Sequence, residues 1–183
     1  MADQQRTVAS ILSLLADNSS GAISPQDLRD FAVSWRNGHG QIYVAAADAG
    51  DITISNTTSY FEATAMTWTL SSGAHLFDES DGNGRLTYIG VEPMAAHIAC
   101  SISFTVAGSN DVTHWRIGIN GTSDAASEAQ RKVGTGSDVG STALHLIADV
   151  TTGDHISLFA RNATAADNIT LETANLQVVS MIK

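Results

Sequence analysis

Between Met94 and Val106 the chain alternates almost without a break. Ala96, Ile98, Cys100, Ile102, Phe104 and Val106 fall on one side, and Ala95, His97, Ala99, Ser101, Ser103 and Thr105 on the other. Successive side chains of a strand point to opposite faces, so this pattern predicts a long strand with one apolar face. The habit recurs toward the C-terminus: Trp115, Ile117 and Ile119; Leu144, Leu146, Ala148 and Val150; Ile156, Leu158 and Ala160. Strands are expected at Gln41–Ala46, Asp51–Ser55, Ala65–Leu70, Arg85–Ile89, Met94–Val106, Val112–Asn120, Ala143–Val150, His155–Arg161 and Thr170–Ile182. Asn120-Gly121 is a type I′ hairpin signal. Short strands separated by turn signals indicate a mainly β, antiparallel jelly-roll sandwich. Ser123–Thr142, rich in glycine and poor in large apolar residues, reads as a long surface excursion.

The opening residues follow a different period. Thr7 to Ala16 sets Ile11, Leu14 and Leu15 on a helical stripe. A second helix begins at Pro25, capped by Ser24 with Asp27 completing the box, and sets Leu28, Phe31 and Trp35 on one face. Asn37-Gly38-His39-Gly40 reads as a flexible boundary. Two units are therefore expected: a helical segment, 1–38, and a β-domain, 39–183. Helices this short are marginal alone and need something to dock on.

Composition narrows the chemistry. The 183 residues carry 9 Lys+Arg against 19 Asp+Glu, a net charge of −10. The helical segment is nearly neutral, so the acidity belongs to the β-region. An acidic surface disfavours nucleic acid and anionic membrane as partners. No stretch is apolar for long enough to span a bilayer, and no secretory signal is evident, so folding in a reducing cytoplasm is expected. Cys100, the one cysteine, falls on the apolar face of its strand and reads as a buried, inert thiol.

Motifs for catalysis are missing: no Gly-x-Ser-x-Gly elbow, no HExxH, no histidine pair at i and i+2. An enzyme is not expected. Glu79, Asp81 and Asn83 supply oxygens at the spacing of the first half of a calcium loop. The twelfth position, where an acidic ligand is required, is Gly90, so a Gly-Asn-rich turn is expected there and no metal or cofactor. His97, His114, His145 and His155 fall on polar strand faces. Ile147, Phe159, Val179 and Met181 are apolar in the outward register of their strands, and several such residues on neighbouring strands predict a covered face, read as a subunit interface.

The β-region resembles C1q/TNF-like jelly-roll domains, especially those of bacteriophage virion proteins. The resemblance rests on RLTYIG at Arg85–Gly90, the long strand ending in SISFTVAGSN, WRIGINGT at Trp115–Thr122, and GDHISLFARNATAADNITLETANLQVVSMI at Gly153–Ile182. It covers most of Ala63 to Lys183. The opening ILSLLADNSSGAISPQDLRDFAVSW is similar to short attachment segments of phage particle proteins. The resemblance implies a homotrimer on a virion, made in the host bacterial cytoplasm. With no collagen-like or coiled-coil stalk, a capsid decoration protein bound to the major capsid protein fits better than the alternative, a fibre tip that recognises host glycan. Ile11, Leu14, Leu15, Leu28, Phe31 and Trp35 are the expected capsid anchors.

Overall fold

The computed structural model describes residues 10, 11, 13, 23–34, 37–79, 82–135 and 138–181. Among them one α-helix is complete, α1 (Pro25–Ser34). The expected cap forms: Ser24 N and Oγ donate to Asp27 Oδ2 at 2.9 and 2.7 Å, and Asp27 N donates back to Ser24 Oγ at 3.2 Å. The helix expected over Thr7 to Ala16 lies outside the described residues except for Ser10, Ile11 and Ser13, which are helical.

Thirteen strands follow among the described residues. They are β1 (His39–Val44), β2 (Gly50–Ile52), β3 (Phe61–Glu62), β4 (Thr69–Leu70), β5 (Phe77–Asp78), β6 (Leu86–Tyr88), β7 (Met94–Val106), β8 (Val112–Ile119), β9 (Thr122–Ser123), β10 (Ala129–Lys132), β11 (Gly140–Val150), β12 (His155–Asn162) and β13 (Ile169–Met181). All pairings are antiparallel. Sheet A runs β11-β7-β13-β1-β4, with β2 also on β13. Sheet B runs β10-β8-β12-β6-β5, with β3 on β12 and β9 on β8. Neighbours in space are distant in sequence, the mark of a jelly roll rather than a meander.

The core is the space between the sheets, filled by the apolar alternation. Ile42, Ile98, Phe104, Leu171 and Leu176 of sheet A meet Leu86, Trp115, Ile117, Ile156 and Leu158 of sheet B, each at 0% exposure. The Phe104 and Trp115 rings pack 4.6 Å apart, and Trp115 Nε1 donates to Thr113 Oγ1 at 3.1 Å, so the indole is buried with its N–H satisfied. Cys100 lies in this core, and burial pushes its thiol up to about 12, as an inert thiol requires.

The structure corrects three expectations about chain path. The boundary expected at 37–40 is partly strand: His39 and Gly40 open β1, pairing with Val179 and Val178. The excursion expected over Ser123–Thr142 contains β9, a 3-10 turn at Ala125–Ser127 and β10. Ala129-Gln130-Arg131-Lys132 pairs with β8 at the edge of sheet B with Gln130, Arg131 and Lys132 exposed, so no apolar alternation is needed. Finally, β3 and β5 are two-residue strands, too short to show any period. The Asn120-Gly121 hairpin forms as read, with φ of 52° and 77° at the two residues.

Candidate interaction surface

Each sheet has an outer face, and the two are built differently. On sheet B the outward residues of β12 are Ser157, Phe159 and Arg161, flanked in register by Gly118, Arg116 and His114 of β8. Tyr60, just before β3, lays its ring under two guanidinium groups, Arg116 at 4.2 Å and Arg161 at 5.1 Å. Its hydroxyl donates to Glu128 Oε2 at 2.5 Å, where Arg116 Nε also donates, at 2.7 Å. His114 Nδ1 stands 3.1 Å from Glu128 Oε1. The Tyr60 hydrogen bond, reinforced by Arg116 and His114, holds the Glu128 carboxyl down to about 2. Burial and the same bond push the Tyr60 hydroxyl up to about 12. Beside this cluster Arg85 grips Glu62 through two bonds, Nε to Oε1 at 3.1 Å and Nη2 to Oε2 at 2.8 Å. Burial works against the Glu62 charge, but the Arg85 bonds outweigh it and hold the carboxyl below its usual range.

Phe159, one of the expected interface residues, lies on this face. Phe159 does point outward, yet it is only 5% exposed. Its ring lies over the Cα of Gly118, so close that a β-carbon there would stand 2.4 Å from it. Sequence periodicity gives the register of Phe159 and cannot show that the ring lies down on Gly118, between Glu62 and Arg116 in register.

Sheet A has no such layer. The strands β1, β4, β7, β11 and β13 contain no Lys or Arg, and their only carboxylates are Asp149 and Glu172. Pairing across the sheet brings outward residues into rows: Asp149–Ala95–Met181; Ile147–His97–Val179–His39; His145–Ala99–Gln177–Gln41; Ala143–Ser101–Asn175–Tyr43; Ser141–Ser103–Thr173. Ile147 is 65% exposed, Val179 47% and Met181 42%, in two adjacent rows. Of the remaining rows, one carries His145, Gln177 and Gln41 and the next ends in Asn175 and an exposed Tyr43; small residues leave a shallow trough of about 530 Å³ along Ser101, Ser103, Ser141, Ala143 and Thr173. Among the apolar rows, His97 Nε2 and His145 Nδ1 stand 3.2 Å apart, with ring centres 5.3 Å apart and planes within 9°. Two rings that nearly parallel, with ring nitrogens that much closer than their centres, meet edge toward edge as a hydrogen-bonded pair.

The exposed apolar rows lie at the end of the sandwich where the helical segment joins. Gly38 O accepts from Ser180 N at 2.8 Å, and a β-carbon on Gly38 would touch Met94, whose register partner is Val150. Ile89 and Val91, in the loop leading to Met94, are also exposed. Of the expected anchors, Leu28 is 58% exposed, Phe31 is half-buried and Ile11 is buried, while Leu14, Leu15 and Trp35 lie outside the described residues.

The expected calcium-like turn has Glu79 Oε1 accepting from Gly84 N at 3.1 Å, with left-handed backbone at Gly82 and Gly84. Asp81 is outside the described residues. Among the described residues no three metal-ligating side chains converge.

The architecture is shared with solved structures. The Eiger TNF of S. frugiperda superposes with a TM-score of 0.50 at 12% identity, over 80% of this chain and 94% of that one. Murine APRIL, crystallised at pH 5.0, superposes at 0.51 and 8% identity, over 78% of this chain and 99% of that one. The fold is a TNF-like jelly roll. No protein-family model matches the sequence, and no curated protein matches it. Identity this low speaks to the fold alone.

Sequence reading placed Ile147, Val179 and Met181 on one outer face, and the structure brings them together. It missed the Tyr60–Arg116–Glu128 cluster, whose members are far apart in the chain, and the His97–His145 contact. Both histidines were legible as outward-facing. Their pairing needed the β7–β11 register, which no periodicity supplies.

Proposed function

We propose that this chain is a structural protein of a bacteriophage particle, a capsid decoration protein that associates as a homotrimer and binds the assembled head. The observation that carries self-association is the outer face of sheet A: free of Lys and Arg in a chain of net charge −10, with Ile147, Val179 and Met181 exposed. Depletion of charge with exposed apolar groups is the signature of an interface core. Copies carrying ten excess negative charges repel except where such a face meets, and closed cyclic association covers it without leaving a growing edge.

Residues up to Trp35 are the attachment segment in this reading. They are nearly neutral, end in the Ser24–Asp27-capped helix α1, and leave Leu28 exposed. They join the β-domain at the apolar end of sheet A, so three copies would present three such segments from one side. Burying one large apolar side chain contributes roughly 1.5–3 kcal/mol, and three linked copies multiply weak contacts through effective concentration. Binding only the assembled shell then stabilises it by mass action. The particle assignment is supported by the resemblance of the jelly-roll strands and opening segment to phage virion proteins. No catalytic role is proposed.

Deleting residues 2–36 and measuring binding of the remaining trimer to capsids stripped of decoration tests the reading. Loss of binding with trimer intact is the expected result, and unchanged binding removes the anchor. Antibody label on purified virions should cover the head. Label confined to the tail would replace the decoration reading with the fibre-tip one.

A further inference from the structure

The His97–His145 pair sits inside the face assigned above to self-association, and its chemistry bears on that assembly. The two nitrogens, 3.2 Å apart, share a hydrogen bond while at most one ring carries the extra proton. Once both rings are protonated, the nitrogens facing each other are both donors and the rings are like charges in contact. The surroundings offer little compensation. In the adjoining rows β7 contributes Ala95 and Ala99, and β13 contributes Gln177, Val179 and Met181. On β11, Ile147 lies between His145 and Asp149, which is one row beyond His97. Glu172 sits at the far end of β13, where it accepts from Thr105 Oγ1. The row ends on β1 at His39, a further imidazole, with Gln41 and Tyr43 beyond it. The edge strand β10 of sheet B carries the cations Arg131 and Lys132 toward the far, Gly140 end of β11, where Val133 stands against Gly140.

We infer that self-association through the sheet A face is proton-gated, closed while the His97–His145 pair is hydrogen-bonded and opened when both rings are protonated. The inference rests on the reading of that face as the meeting surface. Its sign is fixed by linkage. A covered face with apolar rows on both sides disfavours the doubly charged pair, so separated chains bind more protons than assembled ones, and lowering the pH drives separation. Each unit by which assembly lowers an imidazole's proton affinity weakens association about tenfold at low pH. The rest of the molecule pushes the other way, since acidification reduces the net negative charge by which copies repel. A fall in association as pH drops therefore points to the imidazoles of this face, the pair and His39, and the variants below separate the pair from His39.

The experiment is sedimentation equilibrium of the full chain at pH 7.5 and pH 5.5, beside His97→Gln/His145→Gln and the single variant His145→Gln, with folding checked by thermal unfolding. In the unsubstituted protein the concentration at half-association should rise roughly tenfold or more at pH 5.5. In the double variant it should stay level or fall. An unsubstituted protein that associates equally at both pH values, or a double variant that shifts as much as its parent, overturns the inference while leaving the interface standing. A chain that is monomeric at pH 7.5 removes the interface reading and the inference with it. Should the double variant fail to fold, His145→Gln decides in the same way, since one imidazole cannot form the doubly charged pair.

Discussion

The outer faces of the two sheets start from the same device, a strand whose alternate residues leave the core, and finish in opposite states. On sheet B, Tyr60, Arg116, Arg161 and Glu128 interlock, Arg85 holds Glu62, and Phe159, in register between Glu62 and Arg116 with its ring against Gly118, is only 5% exposed. On sheet A the outward rows are mostly Ala, Ser, Thr, Asn, Gln and His around Ile147, Val179 and Met181, with Ile147 at 65% exposure and no Lys or Arg on β1, β4, β7, β11 or β13. An outward apolar residue is thus ambiguous by itself. It marks an interface only where the chain supplies nothing to cover it.

Substitutions that treat the faces alike should expose the difference. The largest effect on stability is expected at Phe159. Phe159→Ala removes a buried ring and should cost about 3–5 kcal/mol, seen as a lowered denaturant midpoint with association unchanged in the protein that remains folded. A null result would show the ring to be uncovered. Next comes Gly118→Ala, whose added methyl would meet the Phe159 ring at 2.4 Å and Thr122 O at 2.7 Å. Overpacking of this kind costs about 1–3 kcal/mol, and an unfolding curve matching the parent would contradict the contact.

A smaller effect is expected from the charge cluster. The Glu128 carboxyl titrates near 2 in the folded protein, below its ordinary 4.5. A depressed carboxylate contributes stability above its unfolded value and loses it as pH falls from the ordinary range toward 2. Acid unfolding of Glu128→Gln should therefore lack part of the parent's dependence between those values. The group is partly open to solvent, so the difference at neutral pH should be under about 1 kcal/mol. Identical acid profiles would show that Glu128 does not anchor the layer.

This ranking also separates what the sequence discloses from what it withholds. The core of β7, β8, β11, β12 and β13 is legible because two-residue alternation reports burial directly, and Asn120-Gly121 because the turn demands left-handed backbone. The capping box of α1 is equally local. By contrast β10 has no apolar rhythm, and β3 and β5 are too short to carry one. The low exposure of Phe159 was illegible for the same reason: its neighbours Gly118, Arg116 and Glu62 are brought beside it only by the register of β8, β12 and β3. Ile147, Val179 and Met181 were legible as outward, and among the described residues they remain exposed.

On sheet A, Ile147→Asp/Val179→Asp should change the stability of the folded chain least, within about 0.5 kcal/mol, since both side chains already face water. The same variant tests the central claim. Sedimentation of the full chain at neutral pH should show a trimer for the unsubstituted protein and a monomer of unchanged unfolding temperature for the variant. A micromolar solution of unsubstituted monomer, or a variant that remains trimeric, would contradict the assignment of this face.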